Sequence, residues 1–173
     1  AWLGGGEDLG KNLIINPDFK FFAMSKAEYW NLEQHSGARG HLRLEDYKGI
    51  KALCIKPFRI NDTPWHLQLN QSNLKVNKGQ NYTVVFKAAA QQQRPMSVRI
   101  MRAHLDWMEL GFSKTVDIGP EWKTFQFNFQ PKEDEENARI TFIIGQDREQ
   151  VYLTDVQMRT GIEYEFGSDE SLE

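Results

Sequence analysis

Residues 65–71 read Trp-His-Leu-Gln-Leu-Asn-Gln, an alternation that puts Leu67 and Leu69 on one face of a strand and His66, Gln68 and Asn70 on the other. The same period of two recurs along the chain. Phe125, Phe127 and Phe129 alternate with Gln126, Asn128 and Gln130, and Val98 and Ile100 alternate with Arg99 and Met101. Tyr82, Val84 and Phe86 form one face of a strand that follows a Lys-Gly turn. Further strands are predicted at 41–45 and 51–56 around a turn near Lys48-Gly49, in "ARITFIIG", and in "QVYLTDVQMRT". "NLIINPDF", 12–19, is β-branched and ends on Asn-Pro, so it too reads as a strand. A short helical turn is expected within 20–29, but no window of twelve or more residues carries a helical apolar period. Many short strands between turns predict an all-β sandwich or barrel.

No internal repeat or second domain breaks this pattern. One domain is expected over 12–160. The Gly-rich residues 1–11 read as a linker or a cloning remnant. The acidic residues 161–173 read as a tail or linker, with the closing Leu-Glu a cloning scar.

Composition narrows the function classes. The chain has 173 residues, 40% hydrophobic and 26% charged, which suits a globular domain with a real core. A net charge of −3 supplies no footprint for a polyanion, so nucleic acid is not expected as a partner. No apolar run approaches transmembrane length, so no membrane partner is expected either. The single cysteine, Cys54, forms no internal disulfide and reads as a small buried apolar residue.

Catalytic constellations are not found. His35, His41, His66 and His104 lie in no metal-binding spacing, there is no Gly-x-Ser-x-Gly elbow, and "LGGGED" lacks the Lys-Ser/Thr of a phosphate loop. Glu45-Asp46 and Asp134-Glu135-Glu136 are expected in turns as solvated charge. The outward strand faces are more informative. Solvated faces usually carry Lys, Glu, Arg and Thr, whereas these carry amides. Amides both donate and accept without titrating, which matches a neutral polyhydroxyl ligand, and a tryptophan offers a flat platform to the C–H face of a sugar ring. Each such residue also has a plainer reading, as surface amide or core aromatic.

Several segments in order resemble the carbohydrate-binding modules of families 4, 9 and 22, most closely family 4. They are "NLIINPDF", Trp30, "PWHLQL", "VNKGQNYTVVFKAAA", "WKTFQFNFQ", "ARITFIIG" and "VYLTDVQM", covering roughly 12–160. The resemblance implies a jelly-roll β-sandwich with an open cleft on a concave sheet, no catalysis, and attachment to a glycoside hydrolase such as a xylanase. It implies xylan or xylo-oligosaccharide as ligand, on the Pro64-Trp65 match. β-Glucan or a cello-oligosaccharide is the alternative, favoured by Arg99. A protein-interaction sandwich and a β-sandwich lyase or hydrolase stand as other readings. By the same resemblance Trp65 stacks on sugar, Gln68 and Arg99 are polar cleft residues, and Trp107 is a second cleft aromatic. Glu33 falls near another polar contact, and His66 or Asn70 joins Gln68. Ile143 replaces a usual His or Gln, with Gln146 compensating. Trp30 and Trp122 belong to the core or its rim. Relatives often hold a structural calcium on the aspartate matched by Asp155. Here Lys20 and Lys48 occupy acidic positions, so a lysine is expected to replace the cation beside Asp155 and no cofactor is expected. A monomer, weak affinity and an extracellular location complete the expectation.

Overall fold

The computed structural model describes residues 9–163. In chain order the strands are β1 (Phe22–Ala23), β2 (Lys26–Ala27), β3 (Asn31–Gln34), β4 (Arg39–Tyr47), β5 (Ile50–Arg59), β6 (Leu67–Val76), β7 (Tyr82–Ala90), β8 (Arg94–Arg102), β9 (Glu109–Ile118), β10 (Lys123–Phe129), β11 (Glu135–Ile143) and β12 (Val151–Thr160). They form two five-stranded antiparallel sheets, ordered β10-β7-β12-β5-β4 and β3-β6-β11-β8-β9, with β1 and β2 as a separate small hairpin. This is the jelly-roll sandwich. Among the described residues, no helix is long and apolar enough to cross a membrane.

The alternation seen in the sequence supplies the core. Leu67 and Leu69 from β6, Val98 and Ile100 from β8 and Ile140 and Phe142 from β11 are buried against Val84 and Phe86 from β7 and Leu53 and Ile55 from β5. Phe86 and Phe142 meet edge-on across the two sheets, 5.2 Å between centroids. Each such side chain contributes roughly 1.5–3 kcal/mol by leaving water. Trp30 belongs to this core, with Nε1 donating to Asn16 O at 3.0 Å. Trp122 packs on a smaller cluster containing Cys54, whose thiol burial pushes up to about 11, as suits an inert apolar residue. The turn between β4 and β5 is Lys48-Gly49, both with positive φ, the two-residue turn whose twist suits a hairpin.

Several expectations are corrected. Residues 12–19 are not a strand. Scattered bonds, such as Leu13 N to Met158 O and the Asn12 side chain to Val156 O and Met158 N, tie this segment to β12. The segment 20–29 holds no helical turn; positive φ at Met24 and Ser25 closes the β1–β2 hairpin instead. Edge strands β3 and β9 were not legible, because β3 is only four residues and much of β9 faces water. Glu45 and Asp46 lie within β4, and Glu135 and Glu136 within β11, rather than in turns. Neither Lys20 nor Lys48 accompanies Asp155. Lys87 does, at 4.0 Å, while Lys48 pairs with Glu121. Asp155 has φ of 55° at a β-bulge of β12, and among the described residues no group of three or more His, Cys, Asp or Glu could hold a metal.

Candidate functional site

Strand register fixes which side chains share the outer face of β3-β6-β11-β8-β9. Glu33 pairs with Gln68, Gln68 with Ile143, and Ile143 with Ser97, making one row across the sheet. The next row runs Asn31, Asn70, Thr141, Arg99. The third contains Arg139 opposite Met101. On this face lies a cleft of ≈ 300 Å³ lined by Glu33, Trp65, Gln68, Arg99, Met101, Trp107, Arg139 and Ile143.

The two tryptophans flank this floor from opposite ends of the strands. Trp65 sits in a single 3-10 turn, Pro64–His66, at the entry to β6. Proline suits the first position of the turn, where its missing N–H costs nothing. The turn lies close against Gly145, where an added Cβ would come within 2.3 Å of Pro64 O. Edge-on contacts from His66 (4.5 Å) and His35 (5.6 Å) brace the indole, which stays 47% exposed. His66 is itself fixed by Asn61. The Asn61 amide donates to Ser36 O, so its Oδ1 accepts from His66 Nδ1 at 3.0 Å. Trp107 stands on the β8–β9 loop, 43% exposed, with the Arg139 guanidinium 5.0 Å from its ring centroid.

A buried polar layer joins these walls. Gln68 is buried and fully committed: Nε2 donates to Trp65 O (2.7 Å), while Oε1 accepts from Thr141 Oγ1 (2.6 Å) and Arg139 Nη2 (3.2 Å). Glu33 Oε1 accepts from Arg139 Nη1 and Asn70 Nδ2, both at 3.0 Å, and Oε2 meets His35 Nε2 at 2.6 Å. Burial alone would push the Glu33 carboxyl up. The His35 hydrogen bond, the Arg139 charge and the Asn70 amide outweigh it and hold the group below its ordinary value. A recess with two half-exposed indoles over rigid, hydrogen-bonded polar groups is suited to a ligand with apolar faces and hydroxylated edges.

The carbohydrate-binding domain family of the 4/9 type matches residues 11–150. The chain belongs to this family. The module is similar to a solved family 4 carbohydrate-binding module, with 28% identity, a TM-score of 0.71, and coverage of 85% of this chain and 99% of that one. At the level of fold it also resembles the second N-terminal cellulose-binding domain of Cellulomonas fimi β-1,4-glucanase C (17% identity, TM-score 0.64, coverage 90% and 98%). The CBM22-1 xylan-binding domain from Paenibacillus barcinonensis Xyn10C is a further fold match (12% identity, TM-score 0.56, coverage 79% and 88%). Among curated proteins, none matches the chain. The module is therefore a non-catalytic carbohydrate-binding domain.

Of the residues singled out in the sequence, Glu33, Trp65, Gln68, Arg99 and Trp107 converge on the module's cleft. His66, Asn70 and Gln146 are not among its lining residues. His66 braces Trp65, and Asn70 supports Glu33. Gln146 lies past the end of β11, where its amide donates to Ser97 Oγ (3.0 Å) and accepts from the fully buried Arg94 (3.3 Å). It therefore does not fill the place of the missing polar group at Ile143, and Ile143 lines the cleft as an apolar wall. Arg139 was missed, although "ARITFIIG" places it on the face opposite Ile140 and Phe142. A charge facing away from the core by strand alternation was the available signal.

Proposed function

We propose that the module binds a stretch of β-linked glucan across the cleft, with Trp65 and Trp107 stacking on sugar rings, Arg99 donating to ring hydroxyls and Arg139 holding the floor beneath Trp107. The observation that carries this reading is the pairing of two half-exposed indoles with Arg99 on one cleft. Gln68 and Arg139 are spent on each other and on Trp65, Thr141 and Glu33, so the free donor of the floor is the Arg99 guanidinium, which needs acceptor oxygens. A hexose offers one hydroxymethyl oxygen per ring that a xylose lacks. Pro64-Trp65, the match to xylan-binding members, favours xylan as the second reading. Stacking and a few hydrogen bonds compete with a well-hydrated sugar, so Kd falls roughly between micromolar and millimolar.

A non-catalytic domain that holds polysaccharide acts by keeping an attached enzyme on its substrate. Tethering of a glycoside hydrolase in an extracellular setting is the role that follows, and the coding sequence flanking this domain tests it. Ligand choice is tested by calorimetric titration with β-1,4- and β-1,3-linked glucan hexamers and with xylohexaose, for wild type and Trp65→Ala. Glucan binding abolished by the substitution supports the reading. Preference for xylohexaose promotes the second. No binding of any hexamer by folded protein overturns both.

A further inference from the structure

Beyond the end of β3, at the edge of the sheet that carries the cleft, lies a groove of ≈ 350 Å³. It is bounded by Ile15, Tyr29, Asn31, Asn70, Ser72 and Asn73. None of its ten lining residues is charged, in a chain where 26% of residues are. A solvated strand edge normally carries charge; this one carries amides and a hydroxyl.

The groove is built by β6. Register along β6 and β11 slips between Leu74 and Gln71, where β6 holds one extra residue and Asn73 has φ of 66°. The bulge bends the strand and re-aims the side chains around Ser72 and Asn73. Gln71 fixes the opposite bank, donating to Ile15 O (2.8 Å) and accepting from Ile15 N (2.9 Å). Tyr29 stands over the groove, 60% exposed, and among the described residues no other ring packs on it.

Asn70 joins groove and cleft. The residue is buried, its Nδ2 donates to the cleft residue Glu33, and its Oδ1 accepts no hydrogen bond among the described residues yet is not sealed from solvent. An amide oxygen that reaches solvent without a protein partner is free to accept from a ligand hydroxyl. Asn31 pairs with Asn70 and lies two residues before Glu33, on the same face of β3, so the groove continues the cleft across the sheet edge.

We infer that this groove is a second contact surface for the polysaccharide, taking further rings of the same neutral chain that occupies the cleft. Tyr29 is the stacking platform, and Asn70 Oδ1, Asn31, Ser72 and Asn73 meet the sugar hydroxyls. The inference rests on the glycan-binding reading of the cleft. A short chain held by the cleft leaves Tyr29 uncovered, and a longer one extends to it.

The test is titration of wild type, Tyr29→Ala and Trp65→Ala with trimer and hexamer of the glucan, or of the xylan, that binds the wild type. The side-chain amide signals of Asn31, Asn70 and Asn73 are followed by NMR in the wild type. Expected is a hexamer Kd weakened roughly tenfold by Tyr29→Ala, the contribution of one aromatic contact, with the trimer unchanged. Trp65→Ala should abolish both; the Asn31 and Asn73 amide signals should move with hexamer but not with trimer, while that of Asn70, bonded to Glu33, moves with either. Asn31 and Asn73 signals that stay put with bound hexamer overturn the inference even if Tyr29→Ala fails to fold. Unchanged hexamer binding in folded Tyr29→Ala, with Trp65→Ala abolishing it, overturns the groove and leaves the cleft. Absence of binding to every hexamer by the wild type removes both.

Discussion

Arg139 donates from Nη1 to Glu33 Oε1 at 3.0 Å although 106 residues separate them in the chain. The same guanidinium reaches Gln68 Oε1 and underlies Trp107, while Glu33 turns its other oxygen to His35, which braces Trp65. A continuous set of contacts therefore runs from one cleft wall to the other through a mostly buried ion pair. Such a layer costs desolvation to build, but it fixes the distance between the two platforms, and preorganised walls lose less entropy when sugar arrives.

Arg139→Met should destabilise the fold by about 2 kcal/mol, below the range for a fully buried pair, because Glu33 keeps the Asn70 and His35 donors. Trp107 loses its support as well, so glycan affinity should fall. Urea unfolding reads the first and calorimetry the second. Combining Arg139→Met with Glu33→Gln should cost less than the sum of the single changes, since the two residues share one network. Additive costs would show that the pair is not coupled.

Gly145→Ala should act on Trp65 from a distance. The new methyl would meet Pro64 O at 2.3 Å, and a backbone atom cannot swing aside as a side-chain tip can. Either the turn carrying Trp65 shifts, or overpacking of about 1–3 kcal/mol is stored. The expected result is a lowered Tm with at least tenfold weaker glycan binding. Gly37→Ala, whose Cβ would meet nothing within 4 Å, should lower stability through its positive φ and leave binding unchanged.

Strand alternation made most of this fold legible. Leu67 and Leu69 announced the core face of β6, and so placed Gln68 and Asn70 on the other. It could not say that these amides are buried. That follows from Arg139 and Glu33 arriving from neighbouring strands, and strand neighbourhood depends on sheet order, which a period of two does not encode. Lys87 beside Asp155 was hidden for the same reason, because β7 and β12 are joined by register and not by sequence. Trp65 and Trp107 could be placed by resemblance, whereas Arg139 needed the register of β11 on β8.

Acid should weaken binding through Glu33. Its folded carboxyl titrates below 4.5, so its ionised form stabilises the cleft above the unfolded value, and that contribution is lost as pH falls through the lower, folded one. The proposed sugar is neutral, so any pH dependence belongs to the protein. Affinity should decline as pH falls below the ordinary carboxylate range. Glu33→Gln should remove that decline while weakening binding at neutral pH. A decline that persists in the variant would assign it to another carboxylate.

Base should loosen the loop that carries Trp107. The hydrogen bond to Glu135, helped by the Leu105 carbonyl, raises His104 above 6.5. A raised histidine stabilises fully below its unfolded value, and the contribution is lost as pH rises through the folded one. The Trp107 indole N–H signal should therefore exchange faster with water as pH rises past the ordinary histidine range, beyond the base dependence of a free indole. His104→Gln should remove that excess.

Arg94 offers the sharpest stability test, because the site depends on it without touching it. The side chain is fully buried, which pushes its guanidinium down to about 10. It donates to the carbonyls of Ile144 (2.9 Å), Asp147 (2.9 Å) and Glu149 (2.8 Å), tying down the whole β11–β12 connection. That connection contains Gly145, on which the Trp65 turn rests, and follows Ile143, a cleft wall. Arg94→Met keeps much of the apolar stem but leaves three carbonyls to find water, so about 3 kcal/mol or more should be lost in urea unfolding. In the folded fraction, backbone amides of 144–149 should lose hydrogen-exchange protection ahead of the core strands. Glycan affinity should fall with them. A variant that loses stability but keeps wild-type affinity would show that the Trp65 turn holds its place without this connection.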